Sequence, residues 1–203
     1  MSDIRYFYGL RGIELLDESR RNRVYRYRRA EDQARCLTAG LMLRSVFGKK
    51  IVESITSSQF GKPYLPDGPG FNLSHSGNKV VLLVGEQAVG VDVEYMTPFS
   101  WTVAKKVFTA AEQTWLRQHA QDDSFFRLWT GKEAIMKALG LGFQLPPESF
   151  EIHPDAGVPN TVGGREWYLH WSESENHMIC TATEHSHAPD GPILLNQCEL
   201  LQI

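Results

Sequence analysis

The sequence predicts an α/β fold in which helices and strands are mixed along one chain. Short apolar segments such as 4–10 and 80–85 have the patterns of strands, whereas 30–48 and 125–140 have the longer periodicity of helices. A strand, then helices, then more strands occurs in the first half of the chain and again from residue 89. This repeated order of elements, without repeated residues, suggests two similar halves.

The composition is that of an ordinary globular protein. The 203 residues are 42% hydrophobic and 22% charged, which allows one large core or two small ones. No run of about 18 apolar residues occurs, and the N-terminal MSDIRYFYGL lacks the basic-then-apolar pattern of a secretion signal. We therefore expect a cytoplasmic protein that does not enter membranes. The three scattered cysteines predict neither a disulfide framework nor a structural zinc site.

The first half is predicted to contain a strand at IRYFYGL (4–10) and a helix at AEDQARCLTAGLMLRSVFG (30–48) that ends at Gly48. The net charge of −3 argues against a general nucleic-acid binder. However, seven arginines lie close together around the start of this helix: Arg20, Arg21, Arg23, Arg26, Arg28, Arg29 and Arg35. They create a local positive field that suits a phosphate-rich ligand.

The middle of the chain is predicted to contain a turn followed by strands. FGKPYLPDGPG (60–70) is rich in glycine and proline, and FNLSHSG (71–77) leads into the apolar strand VVLLVG (80–85). Two polar residues then turn the chain back into VGVDVE. We therefore expect 80–85 and 89–94 to form a hairpin.

The second half is predicted to be helical and then to form strands. Residues 104–108 and 109–120 have helical patterns, and Thr109 with Glu112 forms the sequence of a capping box. FFRLWTGKEAIMKALG (125–140) has the strongest helical pattern of the chain and ends at a glycine. The segments predicted as C-terminal strands are REWYLHW, HMICTAT and ILLNQCELL.

Two acids alternate with valines in VGVDVEYM (89–96), so Asp92 and Glu94 share one face of a strand. Like charges on a buried strand are costly, and a hard cation such as Mg²⁺ would offset that cost. Glu133 could supply a third carboxylate if its helix packs on this strand. The other interpretation is a strand face that is open to water.

Trp129, Glu133 and Lys137 are spaced four residues apart and share one face of the predicted helix. The simpler interpretation of the Glu–Lys pair is a solvated ion pair that contributes about 0.3–0.5 kcal/mol. We expect Trp129 to pack in the core.

A phosphate-binding role is indicated by Lys62 in the GKP turn and by Ser74 and His75, since all three can donate hydrogen bonds to phosphate oxygens. The sequence has neither a Walker loop nor G-x-G-x-x-G, so an ordinary nucleotide site is not indicated. Ser74 and His75 are neighbours on an extended chain and point to opposite faces, which excludes a hydrolase pair.

Five segments occur in order between residues 61 and 143, within a resemblance that extends from about residue 20 to residue 150: GKPYLPD, FNLSHSG, GVDVE, F-T-x-x-E (108–112) and FFRLWTGKEAIMKALGLGF. In this order they resemble the 4'-phosphopantetheinyl transferases of the surfactin-synthetase-activating (Sfp) type. The shorter holo-acyl-carrier-protein synthases share only the acidic strand and the KEAxxKALG helix. The resemblance implies a pseudo-dimer of two α/β subdomains, 1–88 and 89–203, in a monomer with coenzyme A in the cleft between them.

The same resemblance implies roles for individual residues. Asp92, Glu94 and Glu133 would hold Mg²⁺ against the coenzyme A pyrophosphate, and Lys137 would contact phosphate. The residues implied at the 3'-phosphate end are Arg20, Arg23, Lys62, Ser74 and His75. Cys36 lies where a relative has a hydroxyl residue.

The implied reaction moves 4'-phosphopantetheine from coenzyme A to a serine of an apo acyl or peptidyl carrier protein and releases 3',5'-ADP. Glu133 is the first candidate for the general base and Glu112 the second, although Glu112 is equally explained by the capping box. The helix at 104–119, with Lys105, Lys106 and Trp115, is either the carrier-docking element or an ordinary solvated amphipathic helix.

Two other functions remain open from the residues alone. Asp92, Glu94 and Glu133 with a lysine would also suit a metal-dependent nuclease whose arginines grip backbone phosphates. Alternatively, the same groups would suit a coenzyme A-binding module without catalytic activity.

Overall fold

The structure is a computed structural model that describes residues 2–3, 10–119, 122–193, 195 and 197–201. Its helices are α1 (Glu18–Arg26), α2 (Ala30–Val52), α3 (Trp101–Val107), α4 (Ala110–Gln118), α5 (Asp122–Leu139) and α6 (Gln197–Leu201). Its strands are β1 (Ser2–Asp3), β2 (Thr56–Ser57), β3 (Pro63–Tyr64), β4 (Gly70–Ser76), β5 (Lys79–Gly85), β6 (Gly90–Tyr95), β7 (Pro159–Val162), β8 (Arg165–Ser174) and β9 (His177–Thr183). The strand predicted at 4–10 lies almost wholly outside the described residues.

The described strands form two larger antiparallel sheets and a short ribbon. The first sheet has the order β1-β5-β4, the second has the order β6-β9-β8-β7, and β2 pairs with β3. Helices cover both sheets, which confirms the predicted α/β class. None of the helices in the described ranges is long and apolar enough to cross a membrane.

Helix α2 buries its apolar stripe against the first sheet. Leu37, Leu41 and Met42 form a core with Val80 of β5. The backbone of α2 leaves helical geometry at Gly48, where the sequence predicted the end of the helix, and one further turn follows. The first sheet and α2 therefore share one hydrophobic core.

Helix α5 packs in the same way on the second sheet, with Ala134, Ile135 and Ala138 in a core shared with Cys180 of β9. The contact with β6 is so close that a Cβ atom added at Gly90 would lie 1.9 Å from the Ala134 carbonyl oxygen. Only glycine fits at such a distance. The glycine of GVDVE therefore brings the acidic strand against the helix.

The predicted hairpin between 80–85 and 89–94 is wrong. β5 pairs with β4, whereas β6 pairs with β9 in a register that places Asp92 opposite Cys180. The chain leaves one sheet after β5 and enters the other at β6. Val81 of β5 meets Val91 and Val93 of β6 in a small core between the sheets. Both strands thus bury their valines without pairing, and the local sequence does not distinguish these two arrangements.

The predicted C-terminal strand ILLNQCELL is also wrong over its described end, because residues 197–201 form α6. Leu200 of this helix is buried in the core of α2. A short apolar run suits a helix or a strand equally, and the tertiary contact decides between them. The packing of α6 on α2 also brings the C-terminal end of the chain against the first sheet's core. The predicted division into two subdomains, 1–88 and 89–203, stays a prediction.

The other predicted elements of the second half are confirmed. The two helices predicted at 104–120 correspond to α3 and α4, the helix at 125–140 corresponds to α5, and the segments REWYLHW and HMICTAT lie in β8 and β9. The capping box is present in full, because Thr109 and Glu112 each accept a hydrogen bond from the backbone N–H of the other.

Candidate active site

Three elements meet at Asp92. This residue lies on β6 with 2% of its surface exposed, and its Oδ1 accepts hydrogen bonds from Ser74 Oγ of β4 at 2.9 Å and from Lys137 Nζ of α5 at 2.5 Å. Lys137 Nζ also donates to Ser74 Oγ at 2.9 Å. A carboxylate, a hydroxyl and an amine from three elements thus form a closed triangle.

Glu94 follows two residues later on the same face of β6. Its Oε2 accepts a hydrogen bond from Ser76 Oγ at 2.8 Å, and its Oε1 accepts a longer one from Trp129 Nε1 at 3.4 Å. Burial and the charge of Asp92 raise the pKa of Glu94. Trp129, which was predicted as a core residue, does pack against the core but also reaches this carboxylate.

Glu133 lies one turn before Lys137 on α5 and is half-buried. Burial raises its pKa, the nearby Lys137 opposes that shift, and the charges of Asp92 and Glu94 add to it. The structure therefore brings the three predicted acids into one electrostatic neighbourhood. Within the described ranges, however, no three acidic, histidine or cysteine side chains are already arranged as a metal-binding group.

One atom of this neighbourhood indicates that a cation fits there. Asp92 Oδ2 is buried and has no hydrogen-bond partner among the described residues. An unpaired buried carboxylate oxygen is costly, since it has lost water and gained nothing in exchange. Mg²⁺ prefers carboxylate oxygens as its protein ligands. The donor set of Asp92, Glu94 and Glu133 is therefore chemically suited to Mg²⁺.

His75, on β4 between the two serines, lies near cationic groups. Its residue surface is exposed, but partial desolvation of the ring by its neighbours lowers its pKa, and the charges of Arg35 and Lys137 add to that effect. Arg35 pairs with Asp32 and also donates to the carbonyl oxygen of Gly77 at 2.8 Å. Arg35 was part of the predicted arginine cluster but was not assigned to the site, so its position beside His75 is information that only the fold supplies.

The two arginines that were assigned, Arg20 and Arg23, lie on α1. Burial lowers the pKa of Arg20, and the charge of Arg23 adds to this effect, whereas Cys36 and Asp17 oppose it. Burial raises the pKa of the Cys36 thiol, against the influence of both arginines. Arg20, Arg23 and Cys36 thus form one patch where α1 packs on α2. Their roles toward a phosphate remain predictions.

Lys62 connects the GKP turn to the second sheet. Its Nζ donates to the carbonyl oxygens of Val89 at 3.1 Å and of Ala138 at 2.7 Å. Burial lowers its pKa to about 8, and Arg165 contributes to this. The lysine therefore ties the start of β6 to the last turn of α5 in this structure. Its predicted contact with phosphate stays a prediction.

Glu112 is engaged in hydrogen bonds and an ion pair that are separate from the triangle. It is 2% exposed, its Oε2 caps α4, and its Oε1 accepts from the backbone N–H of Ile152 at 2.9 Å and pairs with Lys132 Nζ at 2.8 Å. Both oxygens are therefore engaged. The structural role of Glu112 is confirmed, and nothing in this geometry supports a role as a base.

Sequence reasoning missed two side chains beside the acids, Asn72 and Ser76. Both lie on β4 on the same face as Ser74, and each contacts β6. The signal was available in FNLSHSG, where three hydrogen-bonding side chains alternate with other residues. It was not used because the facing strand was unknown.

Comparison with known proteins places these residues in a family. A model described as the 4'-phosphopantetheinyl transferase superfamily matches residues 88–189, which include β6 and α5. The chain is 32% identical over 160 residues to the 4'-phosphopantetheinyl transferase Sfp of Bacillus subtilis (strain 168), and the aligned region covers 73% of this chain and 71% of that protein. It is 34% identical over 135 residues to the 4'-phosphopantetheinyl transferase gsp of Aneurinibacillus migulanus, and this region covers 63% of this chain and 57% of that protein. A putative 4'-phosphopantetheinyl transferase of Synechocystis is 33% identical over 170 residues, and this region covers 72% of this chain and 69% of that protein.

Proposed function

The chain belongs to the 4'-phosphopantetheinyl transferase superfamily, and from this we propose that it transfers 4'-phosphopantetheine from coenzyme A to a serine of an apo acyl or peptidyl carrier protein. The observation that carries the proposal is the meeting of Asp92, Ser74 and Lys137 from three elements, with Glu94 and Glu133 beside them. We further propose that the protein is cytoplasmic and acts as a monomer. The monomer is supported by the fact that one chain supplies both sides of this site.

Mg²⁺ would be held by Asp92, Glu94 and Glu133. The bare Oδ2 of Asp92 and the shared burial of the two glutamates support this assignment. When bound, Mg²⁺ supplies positive charge against the coenzyme A pyrophosphate.

Lys137 is proposed to bind a phosphate oxygen of coenzyme A. Its side chain is 29% exposed, so its amine can reach a ligand in the cleft while remaining close to Asp92. Negative charge builds on the pyrophosphate as the leaving group departs, and a fixed ammonium group stabilises that charge. The 3'-phosphate end is proposed to lie near His75, Ser74 and Lys62, with Arg20 and Arg23 as further cationic groups.

The reaction exchanges one phosphorus–oxygen bond for another. The carrier serine Oγ attacks the phosphorus that bears the pantetheine arm, and the bond from that phosphorus to 3',5'-ADP breaks. The serine proton passes to Glu133, which is the candidate base, because both oxygens of Glu112 are engaged elsewhere. Holding serine and phosphate in line contributes as much as the base does.

The proposal is tested by mass spectrometry of an apo carrier protein incubated with coenzyme A, Mg²⁺ and the enzyme. We expect the carrier to gain the mass of one phosphopantetheine group and 3',5'-ADP to appear in equal amount. A carrier whose acceptor serine is replaced by alanine is the control and should gain nothing. Unchanged mass with several carrier types would contradict the proposal.

The same experiment separates the alternatives. Coenzyme A binding without any gain of mass would indicate a binding module without catalytic activity. Cleavage of DNA or RNA with Mg²⁺ would indicate a nuclease.

The carrier is proposed to dock on α3 and α4. Lys105 and Lys106 are exposed there, and they lie beside the exposed side chains of Trp101 and Val103. Cationic groups around an apolar patch complement the acidic surface expected of a carrier protein. Replacing Lys105 and Lys106 with glutamate should raise KM for the carrier without changing KM for coenzyme A.

A further inference from the structure

Strand β6 is the edge of its sheet, and side chains of β4 occupy the free side of that edge. The backbone N–H of Val91 donates to Asn72 Oδ1 at 2.9 Å, that of Val93 to Ser74 Oγ at 3.3 Å, and that of Tyr95 to Ser76 Oγ at 3.0 Å. An edge strand normally leaves such groups unpaired. Here three side-chain oxygens of the other sheet take the place of a neighbouring strand.

Two of these three contacts also hold an acid. Ser74 accepts from the N–H of Val93 and donates to Asp92, the residue just before it. Ser76 repeats the arrangement two residues further along both strands, since it accepts from the N–H of Tyr95 and donates to Glu94 at 2.8 Å. A hydroxyl has one proton and two lone pairs, so it can do both at once. The spacing of S-x-S on β4 thus matches the spacing of D-x-E on β6.

The two serines differ in what else restrains their acid. Asp92 is also hydrogen-bonded by Lys137, whereas within the described part of the chain the one hydrogen bond of Glu94 besides that of Ser76 is the 3.4 Å contact with Trp129. The negative charge of Asp92 repels the Glu94 carboxylate, whereas Lys137 attracts it without a hydrogen bond that would fix its direction. Ser76 therefore carries most of the restraint on Glu94.

We propose that Ser76 is a positioning residue that holds Glu94 in the orientation needed to bind the divalent cation. This rests on the proposed function, because it concerns the same cation site. It goes further by assigning the affinity for that cation to a contact between the two sheets. Residues that orient metal ligands typically change metal affinity about 10–100-fold when they are removed.

The matched control is Asn72. It makes the same kind of contact with the edge of β6, but the residue before its partner Val91 is Gly90, so no acid is attached. Asn72→Ala breaks one contact between the sheets and leaves both acids with their serines. It therefore reports the cost of weakening the interface alone.

The experiment measures Mn²⁺ binding to the full chain by electron paramagnetic resonance, with coenzyme A present. We expect Ser76→Ala to weaken Mn²⁺ binding about tenfold. Ser76→Thr keeps the hydroxyl and should bind nearly as tightly as the wild type, and Asn72→Ala should lower the melting temperature without changing the affinity for Mn²⁺. In turnover, Ser76→Ala should raise KM for Mg²⁺ more than it lowers kcat.

Equal Mn²⁺ affinity in Ser76→Ala and the wild type would overturn the proposal. So would an equal loss of affinity in Asn72→Ala, because the effect would then belong to the interface and not to the acid. Either result, obtained with a wild type that modifies a carrier protein, leaves the proposed function intact. A wild type that modifies no carrier contradicts the proposed function instead.

Discussion

Two acid–lysine pairs take their lysines from the same helix and have opposite characters. Lys132 and Lys137 are both on α5, the first paired with Glu112 and the second with Asp92. The Lys132 side chain has no exposed surface, whereas that of Lys137 is 29% exposed. The sequence shows a lysine in each case. It does not show that the lysine of one pair is fully buried and that of the other is partly exposed.

The Glu112–Lys132 pair is satisfied by the surrounding chain. Lys132 Nζ also donates to the carbonyl oxygens of Pro147 and Phe150, and Glu112 accepts from two backbone N–H groups. A buried pair with this many partners fixes the positions of the segments around it. We interpret it as part of the scaffold.

The Asp92–Lys137 pair retains an unsatisfied atom. Asp92 Oδ2 has no partner among the described residues, and two further acids lie nearby. An unsatisfied buried group needs a physical explanation, and an ion that binds there is one that fits a carboxylate with two other acids beside it. The difference between the two pairs is therefore that the scaffold pair uses all of its bonding capacity, whereas the site pair leaves a carboxylate oxygen for a ligand.

The largest expected effect comes from Glu133→Gln, which keeps the shape of the side chain and removes its charge. Loss of the base and of one cation ligand should lower the transfer rate by about 10²–10⁴-fold or more, with little change in melting temperature. The rate is measured by mass spectrometry of the carrier protein. Near-normal turnover would contradict the assignment of Glu133 to the site.

The next effect separates the scaffold from the site. Lys132→Met leaves Glu112 buried without its ion pair and should lower the free energy of unfolding by about 3–5 kcal/mol. Activity per folded molecule should stay close to that of the wild type. Urea unfolding and transfer assays on the same sample measure both quantities.

The control for this variant is the double replacement Glu112→Gln with Lys132→Met. It removes the uncompensated charge and should recover part of the lost stability. If Lys132→Met instead reduced turnover of the folded protein as strongly as Glu133→Gln, the separation into scaffold and site would be wrong.

A smaller effect is expected at the start of α4, where Thr109 caps the helix that positions Glu112. Thr109→Ala should lower the free energy of unfolding by about 1 kcal/mol, because the N–H of Glu112 loses its acceptor. Ser100→Ala at the start of α3 is a matched control that removes a cap without affecting Glu112. Thermal unfolding of both variants compares them. We expect the loss from Ser100→Ala to be no larger than that from Thr109→Ala, and a larger loss would contradict this expectation.

A pH-dependent effect concerns Lys62, which contacts the end of α5 through carbonyl oxygens and has no carboxylate partner among the described residues. Its pKa of about 8 lies below the ordinary lysine value of 10.5, so between these values the unfolded chain binds more protons than the folded one. The contribution of Lys62 to stability should therefore rise from pH 8 to pH 10.

This pH dependence is measured as the difference in unfolding free energy between the wild type and Lys62→Met at several pH values, without coenzyme A. The difference should move in favour of the wild type as the pH increases. Arg165, the charge that adds to the effect of burial on this pKa, is present in both proteins, so the difference between them contains its influence on Lys62 and not its own titration. A difference that does not change with pH would contradict the lowered pKa.

The parts of the fold that were predicted correctly depend on neighbours in sequence. The capping box at Thr109 and Glu112, the end of α5 just before Gly140 and the positions of β8 and β9 are each set within a few residues. The partner of β6 was predicted wrongly, because strand pairing depends on residues almost ninety positions away. The chain near Leu200 was assigned to a strand because its apolar residues alone do not specify a helix.

For the site, the sequence by itself determined which side chains share a face. Alternation put Asp92 and Glu94 on one side of β6, and helical spacing put Glu133 and Lys137 on one side of α5. Only the tertiary structure decided that Ser74 and Ser76 meet these acids, that Glu112 is fully bonded and that Asp92 keeps a bare oxygen. The physical reason is that facing directions follow from local backbone geometry, whereas hydrogen-bond partners depend on which distant elements pack together.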